Sequence, residues 1–564
     1  MSKLSLLHKS CYLSIECGIF YQIGQVIHCT FGVLSVNVEV MSSADESTDG
    51  KPACSPVGVN LDVIAADVQK VLIPAPVRPD VDSTTMLKAH FDIAAPSVFA
   101  MLFMFLSQTV QLAFVGQRMG AGALAGFSVG LSVFNILGAS TSIGLLCALD
   151  TLAPQAYGRN SRTSELTLLL QRALGVNAAI LLGPLLLIFY TCEPLLALVY
   201  GPDVAPGAAE MLRAMPLYMI PLWTTIAIAK LMRAQQLAGM PSLTNALGTG
   251  CCFVVNYYWL PEGSSITRAT CNLAFVQLCA CVAIIIMAKV HPRSLVFEGR
   301  LFTKEVFEKH GVAEFIQVGS ASVIGMCSEW WALEVSTIAA ARIGSTEVAS
   351  FAILLNILLV FESFAWCSSM AGSSLIGNAL GADQPEVAKR YSRLTLKVCG
   401  VLMCCTASVL LFQGKTILSV YTSSEAIHGV LFPILPLIAL WHLIDAGQAS
   451  LNGMYRGAGK PDEAARYLLG TMWLVGVPMA WLLSLWARWG LAGILMGQSL
   501  GQGLLIPLYA RGMLTWDWDA LAVKASRRMA KALQVADDVR LQEDARHPDL
   551  DLLLEDVVVF HLEL

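Results

Sequence analysis

Twelve stretches of this chain are apolar, nearly free of charge and about as long as a lipid bilayer is thick, which leaves it very few folds. The first six are Ile93–Gln117, Met119–Leu149, Ala173–Cys192, Ala214–Ala229, Ala234–Pro261 and Ala269–Ala288. After the polar segment His291–His310 the series resumes with Phe315–Ala341, Val348–Ala382, Val398–Gly414, Ala426–Ile444, Tyr467–Ala487 and Trp489–Ala510. A helix needs roughly 17–25 residues to cross about 30 Å of hydrocarbon, and within lipid it satisfies its own backbone hydrogen bonds. Composition agrees: 56% of residues are hydrophobic and only 14% are charged, against roughly 45–50% and about 25% in soluble domains. The expectation is an all-α polytopic membrane protein with twelve transmembrane helices in two six-helix lobes. Its domains would run 1–84 (N-terminal cytosolic region), 85–290 (first lobe), 291–310 (linker), 311–512 (second lobe) and 513–564 (C-terminal cytosolic tail). The window Ala214–Ala229, which holds Pro216 and Pro221, is the shortest of its group.

Lys and Arg near helix ends set orientation. With the N-terminus cytosolic, one side collects Arg159, Arg162, Lys230, Arg233, Lys289, Arg293, Arg300, Lys389, Arg390, Arg393, Arg456 and Lys460, among others. The other side gets Arg118, Arg268, Arg342, Lys415 and Arg488. Both termini are therefore expected in the cytosol, in a plasma membrane or a vacuolar or lysosomal one. The halves also echo each other. Arg118-Met119-Gly120 then Ala125-Gly126-Phe127 is matched by Arg342-Ile343-Gly344 then Ala349-Ser350-Phe351. Leu231 through Ala238-Gly239-Met240-Pro241 is matched by Leu451 through Ala458-Gly459-Lys460-Pro461. Six helices per half preserve orientation, the mark of a parallel repeat around a central cavity.

The ends carry less information. Residues Met1 to Val40 are moderately apolar, contain Glu16 and show no small-residue cleavage site, so no signal peptide is expected. Lys524, Arg527, Arg528 and Lys531 form a basic amphipathic segment suited to the inner leaflet. The sixteen cysteines lie mostly in apolar runs without a metal-ligand spacing, so neither zinc nor a disulfide framework is expected. Net charge is −5 and no nucleic-acid signature is present. Gly457-x-Gly459 follows no strand and no Walker lysine pattern appears, so no nucleotide loop or ATPase module is read here.

Chemistry concentrates in charges that hydrocarbon disfavours. Glu329, Glu334 and Glu362 interrupt the second-half windows, and an acid in a spanning helix costs about 2.5–3.5 kcal/mol, so it faces a bundle interior or watery cavity. Glu329 and Glu334 lie about 140° apart around a helix, so one is expected to face the cavity and the other a neighbouring helix. Asp445 follows His442 by three residues and shares its face, an arrangement able to relay protons. Asn135 and Asn356 suit either substrate or interhelical hydrogen bonds, and Trp330 and Trp331 suit stacking on an aromatic or cationic substrate as well as plain packing.

Several segments resemble the multidrug and toxic compound extrusion (MATE) transporters of the eukaryotic type. They are Phe114-Val115-Gly116 with Gly120, Ala148 through Gly158, Glu329-Trp330-Trp331-x-x-Glu334, Gly377-Asn378-Ala379-Leu380-Gly381-Ala382, and Asp445 through Gly459, in order across roughly Ala95 to Arg511. The resemblance implies a two-lobed, monomeric antiporter that exports small organic compounds across the bilayer by alternating access, without a cofactor. It also implies that Glu329 and Asp445 take up the driving protons, with Glu334 as a further candidate. Leu375-Ile376 stands where a basic residue often precedes the Gly-Asn of the eighth-helix motif, and Glu362 maps onto no family motif. Ser107, Gln108 and Gln111 in the first helix offer no carboxylate. An acidic cavity leans towards organic cations and xenobiotics; sodium coupling, and export of organic acids or flavonoid-like compounds, are the alternatives. A passive channel would repeat its pore element, whereas the lobes here carry different acids. An intramembrane enzyme would need a nucleophile with a base or a metal pair, and the windows hold none.

Overall fold

The structure is a computed structural model and describes residues 82–160, 165–301, 303–422 and 424–527. The N-terminal 81 residues, with the Met1–Val40 stretch, and the acidic tail beyond 527, with Arg528 and Lys531, lie outside the described residues. Within them the chain is helical and has no strand.

The first lobe comprises α1 (Ser83–Met119), α2 (Gly122–Arg159), α3 (Glu165–Thr191), α4 (Ala205–Ala214 with Pro216–Ala234), α5 (Gly239–Trp259) and α6 (Ile266–Val290). The second comprises α7 (Lys309–Ile343), α8 (Ser345–Gly381), α9 (Pro385–Val420), α10 (Glu425–Gly457), α11 (Pro461–Trp486) and α12 (Gly490–Leu514). Ten of these are individually long and apolar enough to span, and the two parts of α4 count together as an eleventh despite a 53° bend. The bend falls at Met215-Pro216, where proline cannot donate the helical hydrogen bond. The twelfth, α5, is 21 residues long and lies against α1, with Asn245 and Thr249 bonded to the Ala100 and Phe103 carbonyls.

The internal echoes fall at equivalent joints. Gly120 and Gly344 separate the first two helices of each lobe, and Phe127 and Phe351, about two turns further on, are both fully buried. Pro241 and Pro461 both sit at the start of the fifth helix of their lobes. Lipid supplies no hydrophobic drive between helices, so small residues set how closely they approach. Gly493 and Gly497 of α12 press on the α11 backbone at Ser484 and Ala480, leaving no room for a Cβ. The outer surface is the converse: Phe412 is 78% exposed and Leu474 79%, side chains that only lipid would cover. Tyr257, Tyr258, Trp259, Trp486 and Trp489 cluster at helix ends, as at a membrane interface.

The segment after α12 differs from the expectation of a leaflet-bound helix. Leu521, Ala522 and Ala525 are buried with Trp516 against Tyr455 and Tyr509, so its apolar face is covered by the second lobe.

A buried polar chain fastens α1, α5 and α6. The Asn256 amide donates to Gln111 Oε1 at 2.7 Å, Gln111 donates to the Ala269 carbonyl at 3.0 Å, and Asn272 donates to Asn256 Oδ1 at 3.3 Å. Such bonds are worth about 0.6 kcal/mol each and at most about 1.7. Asn256→Leu should therefore destabilise the protein by about 1 kcal/mol in a detergent melt, and an unchanged melting temperature would show the chain to be slack.

Candidate functional site

Two lobes bounded mostly by small and aromatic side chains leave a cavity of about 500 Å³ between them, within the range of small-molecule sites. Phe127, Phe134 and Tyr218 line it from the first lobe, and Trp330, Trp366 and Trp441 from the second. A π turn over Phe134–Ala139 widens α2 where Phe134, Asn135 and Ala139 reach the cavity; such turns recur at functional positions.

On the second-lobe side three acids from three helices meet: Glu329 of α7, Glu362 of α8 and Asp445 of α10. Asp445 and Gln448 are one turn apart on α10 and share a face. The Gln448 amide donates to Glu329 Oε1 at 3.0 Å and to Asp445 Oδ1 at 3.3 Å. Gln502 of α12 donates to the same Asp445 oxygen, and its own Oε1 accepts from Trp441 Nε1 at 2.8 Å. Glu362 lies beside Asp445, close enough for the two carboxyl groups to interact. Three carboxyl groups from three helices thus gather on one wall of the cavity.

The end of the cavity where α2, α4, α8 and α10 finish is basic. Lys230 Nζ lies 2.6 Å from Asp150 Oδ2 and Arg233 Nη2 3.9 Å from Asp150 Oδ1. Arg456 is 7% exposed and borders the same space, with no hydrogen-bond partner on Nε or Nη2. Lys230, Arg233 and Arg456 lie near the ends of their helices, as expected, and all three also line the cavity.

This basic end is also where the lobes are joined. Thr151 donates to the Arg456 carbonyl at 2.7 Å, Asn378 to the Ala234 carbonyl at 3.0 Å, and Ser373 to the Asp150 carbonyl at 3.4 Å. Glycines permit the approach: a Cβ on Gly158 would overlap the Asn378 carbonyl, and one on Gly381 the Gln155 carbonyl. Nearer the middle, His90 bonds Ser368 at 2.8 Å and Gly144 of α2 lies against Val323 of α7.

The other expected residues divide. Asn135 and Trp330 line the cavity. Glu334 lines it too, so both α7 glutamates reach this space, Glu329 while bonded to Gln448 of α10 and Glu334 outside the acid cluster. Trp331 does not line it; its Nε1 donates to the Ile136 carbonyl at 3.0 Å, linking α7 to α2. Asn356 is exposed on the outer face and its amide bonds the Ala352 carbonyl of its own helix, which corrects its assignment to the cavity. His442 is fully buried away from the cavity, its Nε2 2.8 Å from Thr406 Oγ1 and its ring edge against Phe361, so it makes no relay bond with Asp445. Gln448, Gln502 and the Asp150–Lys230 pair were not anticipated. The i, i+3 spacing of Asp445 and Gln448 was the readable signal.

The MatE family model matches residues 96–258 and 321–482, once in each lobe. The chain belongs to the MatE family. Protein DETOXIFICATION 52 of Arabidopsis thaliana is 28% identical over 468 residues, covering 80% of this chain and 89% of that one. Multidrug and toxin extrusion protein 1 of Danio rerio is 26% identical over 409 residues, covering 72% and 68%. The crystal structure of the eukaryotic MATE transporter AtDTX14 shares the fold, with a TM-score of 0.73 at 20% identity over 79% of this chain and 99% of that one. This MatE protein is an integral membrane transporter of the multidrug and toxin extrusion type and not an enzyme, with its helices in two pseudo-symmetric lobes.

Proposed function

We propose that this transporter exports small organic compounds in exchange for protons, by alternating access, with Glu329, Glu362 and Asp445 holding the driving proton. The supporting observation is the gathering of Glu329, Glu362 and Asp445, with Gln448 bridging Glu329 and Asp445, on the wall of a cavity sized for an organic solute. A positively charged substrate group and a proton compete for the same negative charge, so binding one releases the other. In the first lobe the buried carboxylate among the described residues is Asp150, which Lys230 neutralises at 2.6 Å, so it is poorly placed to exchange protons. Glu334 sits on the same wall outside the cluster and tunes the local field.

The basic end faces the cytosol under the excess of Lys and Arg there, and both termini with it. Because the lobes are joined at that end, this conformation is the one that gives the cavity's acids to the opposite side. The chain works as a monomer, since cavity and acids are complete within one copy.

Proteoliposomes loaded with a lipophilic cation such as ethidium test the reading. Export should follow an imposed pH gradient, collapse with a proton ionophore and ignore sodium. Export that follows a sodium gradient and survives the ionophore defeats proton coupling.

A further inference from the structure

We propose that the basic end of the cavity is a binding subsite for an oxyanion, so that the substrate carries a carboxylate-like group as well as a cationic one. The inference rests on the exporter reading for its biological use, but not for its chemistry. Arg456 carries it. This side chain is 93% buried (7% exposed), borders the cavity, and leaves both Nε and Nη2 without a hydrogen-bond partner.

Those two nitrogens are the adjacent donors on one edge of a guanidinium, the fork that matches a carboxylate bidentately. A buried donor left unpaired is costly, and more so when charged. The groups around it do not supply the missing anion. Asp150 of α2 is held by Lys230 at 2.6 Å with Arg233 at 3.9 Å, so its carboxylate already answers two cations and is not paired with Arg456. Glu329 of α7 lies within electrostatic reach of Arg456 but forms no ion pair with it, and its Oε1 is engaged by Gln448. Tyr509 of α12, which also borders the cavity, spends its hydroxyl on the Ala464 carbonyl. Lys230, Arg233 and Arg456 against Asp150 leave this end of the cavity positive.

Gln448 and Arg456 lie eight residues apart on one helix, about 12 Å along its axis. An amphoteric aromatic solute of that length places its cationic end against the acid cluster and turns its oxyanion onto Arg456. A purely cationic ligand leaves the fork unpaired.

Rhodamine 110 and rhodamine 123 test this, since they share one cationic xanthene and differ only in a free carboxylate against its methyl ester. Binding to the purified full chain in lipid nanodiscs is read by fluorescence anisotropy at pH 7.5. Wild type should bind rhodamine 110 at least tenfold more tightly, about 1.4 kcal/mol. Arg456→Gln should bring the ratio of the two affinities close to one, and Arg456→Lys, which keeps the charge and loses the fork, should fall between. Equal affinities in the wild type, or an unaltered ratio in Arg456→Gln, overturn the subsite. The wild-type ratio decides even if the variants fail to fold. Dye export under a pH gradient is a separate readout: its absence defeats the exporter reading while the binding ratio still decides the subsite.

Discussion

Glu329→Gln should abolish pH-driven efflux in proteoliposomes while leaving the protein folded. The substituted amide keeps the shape of the side chain, and the neighbouring Gln448 amide at 3.0 Å still meets an oxygen acceptor. What is lost is the ability to take and release a proton. Each pH unit is worth about 1.4 kcal/mol per proton, so two units support about hundredfold accumulation in one-for-one exchange, and that is the factor expected to vanish. Asp445→Asn and Glu362→Gln should behave alike, because both carboxyl groups belong to the same cluster on the cavity wall. Glu334→Gln, outside the cluster, should cost no more than about fivefold, near 1 kcal/mol. Undiminished accumulation by Glu329→Gln would remove that residue from the coupling site. Thermal melting of each variant separates coupling from misfolding: removing a like charge from a buried acid cluster should leave stability equal or higher.

Gly381→Ala and Gly158→Ala should hold the lobes apart at the basic end. Here the obstruction is main chain against Cβ, the Gln155 carbonyl in one case and the Asn378 carbonyl in the other, so no side-chain rotation relieves it. Overpacking of this kind costs about 1–3 kcal/mol, which moves a two-state equilibrium up to about a hundredfold. Hydrogen exchange should accelerate in peptides covering 149–159 and 373–381, and efflux should fall with it. Gly250→Ala, where an added Cβ meets nothing within 4 Å, is the control and should change neither. Unaltered protection in both seam variants would mean that the lobes tolerate a wider gap than their contacts suggest.

The twelve spans were legible because lipid penalises charge wherever it is exposed to hydrocarbon. The same rule misplaced the ends that matter most. The apolar windows stop at Leu149, Ala229 and Ile444, and the next residues are Asp150, Lys230 and Asp445. Their helices continue to Arg159, Ala234 and Gly457, because these charges are buried in protein, paired or bridged, and never meet lipid. A window drawn by charge ends where the site begins. Glu329 survived because apolar residues flank it on both sides, and Glu362 was visible for the same reason without a family position to give it meaning. Asn356 and His442 were misread because composition does not tell which way a helix turns its polar residue: one faces outward and the other α9.

The seam at the basic end also has an electrical consequence. Gly158 against Asn378, Gly381 against Gln155 and Gly457 against Ser373 bring backbones together with less than a methyl group's clearance. A single water needs about 10–15 Å³ of free volume and two to four polar partners, and such contacts give it no place to stand. Protons hop along files of water, so a dry seam interrupts the file. Under the proposed proton exchange, such a seam would let the acids equilibrate with one compartment only, and the membrane would hold its voltage while the cavity is loaded.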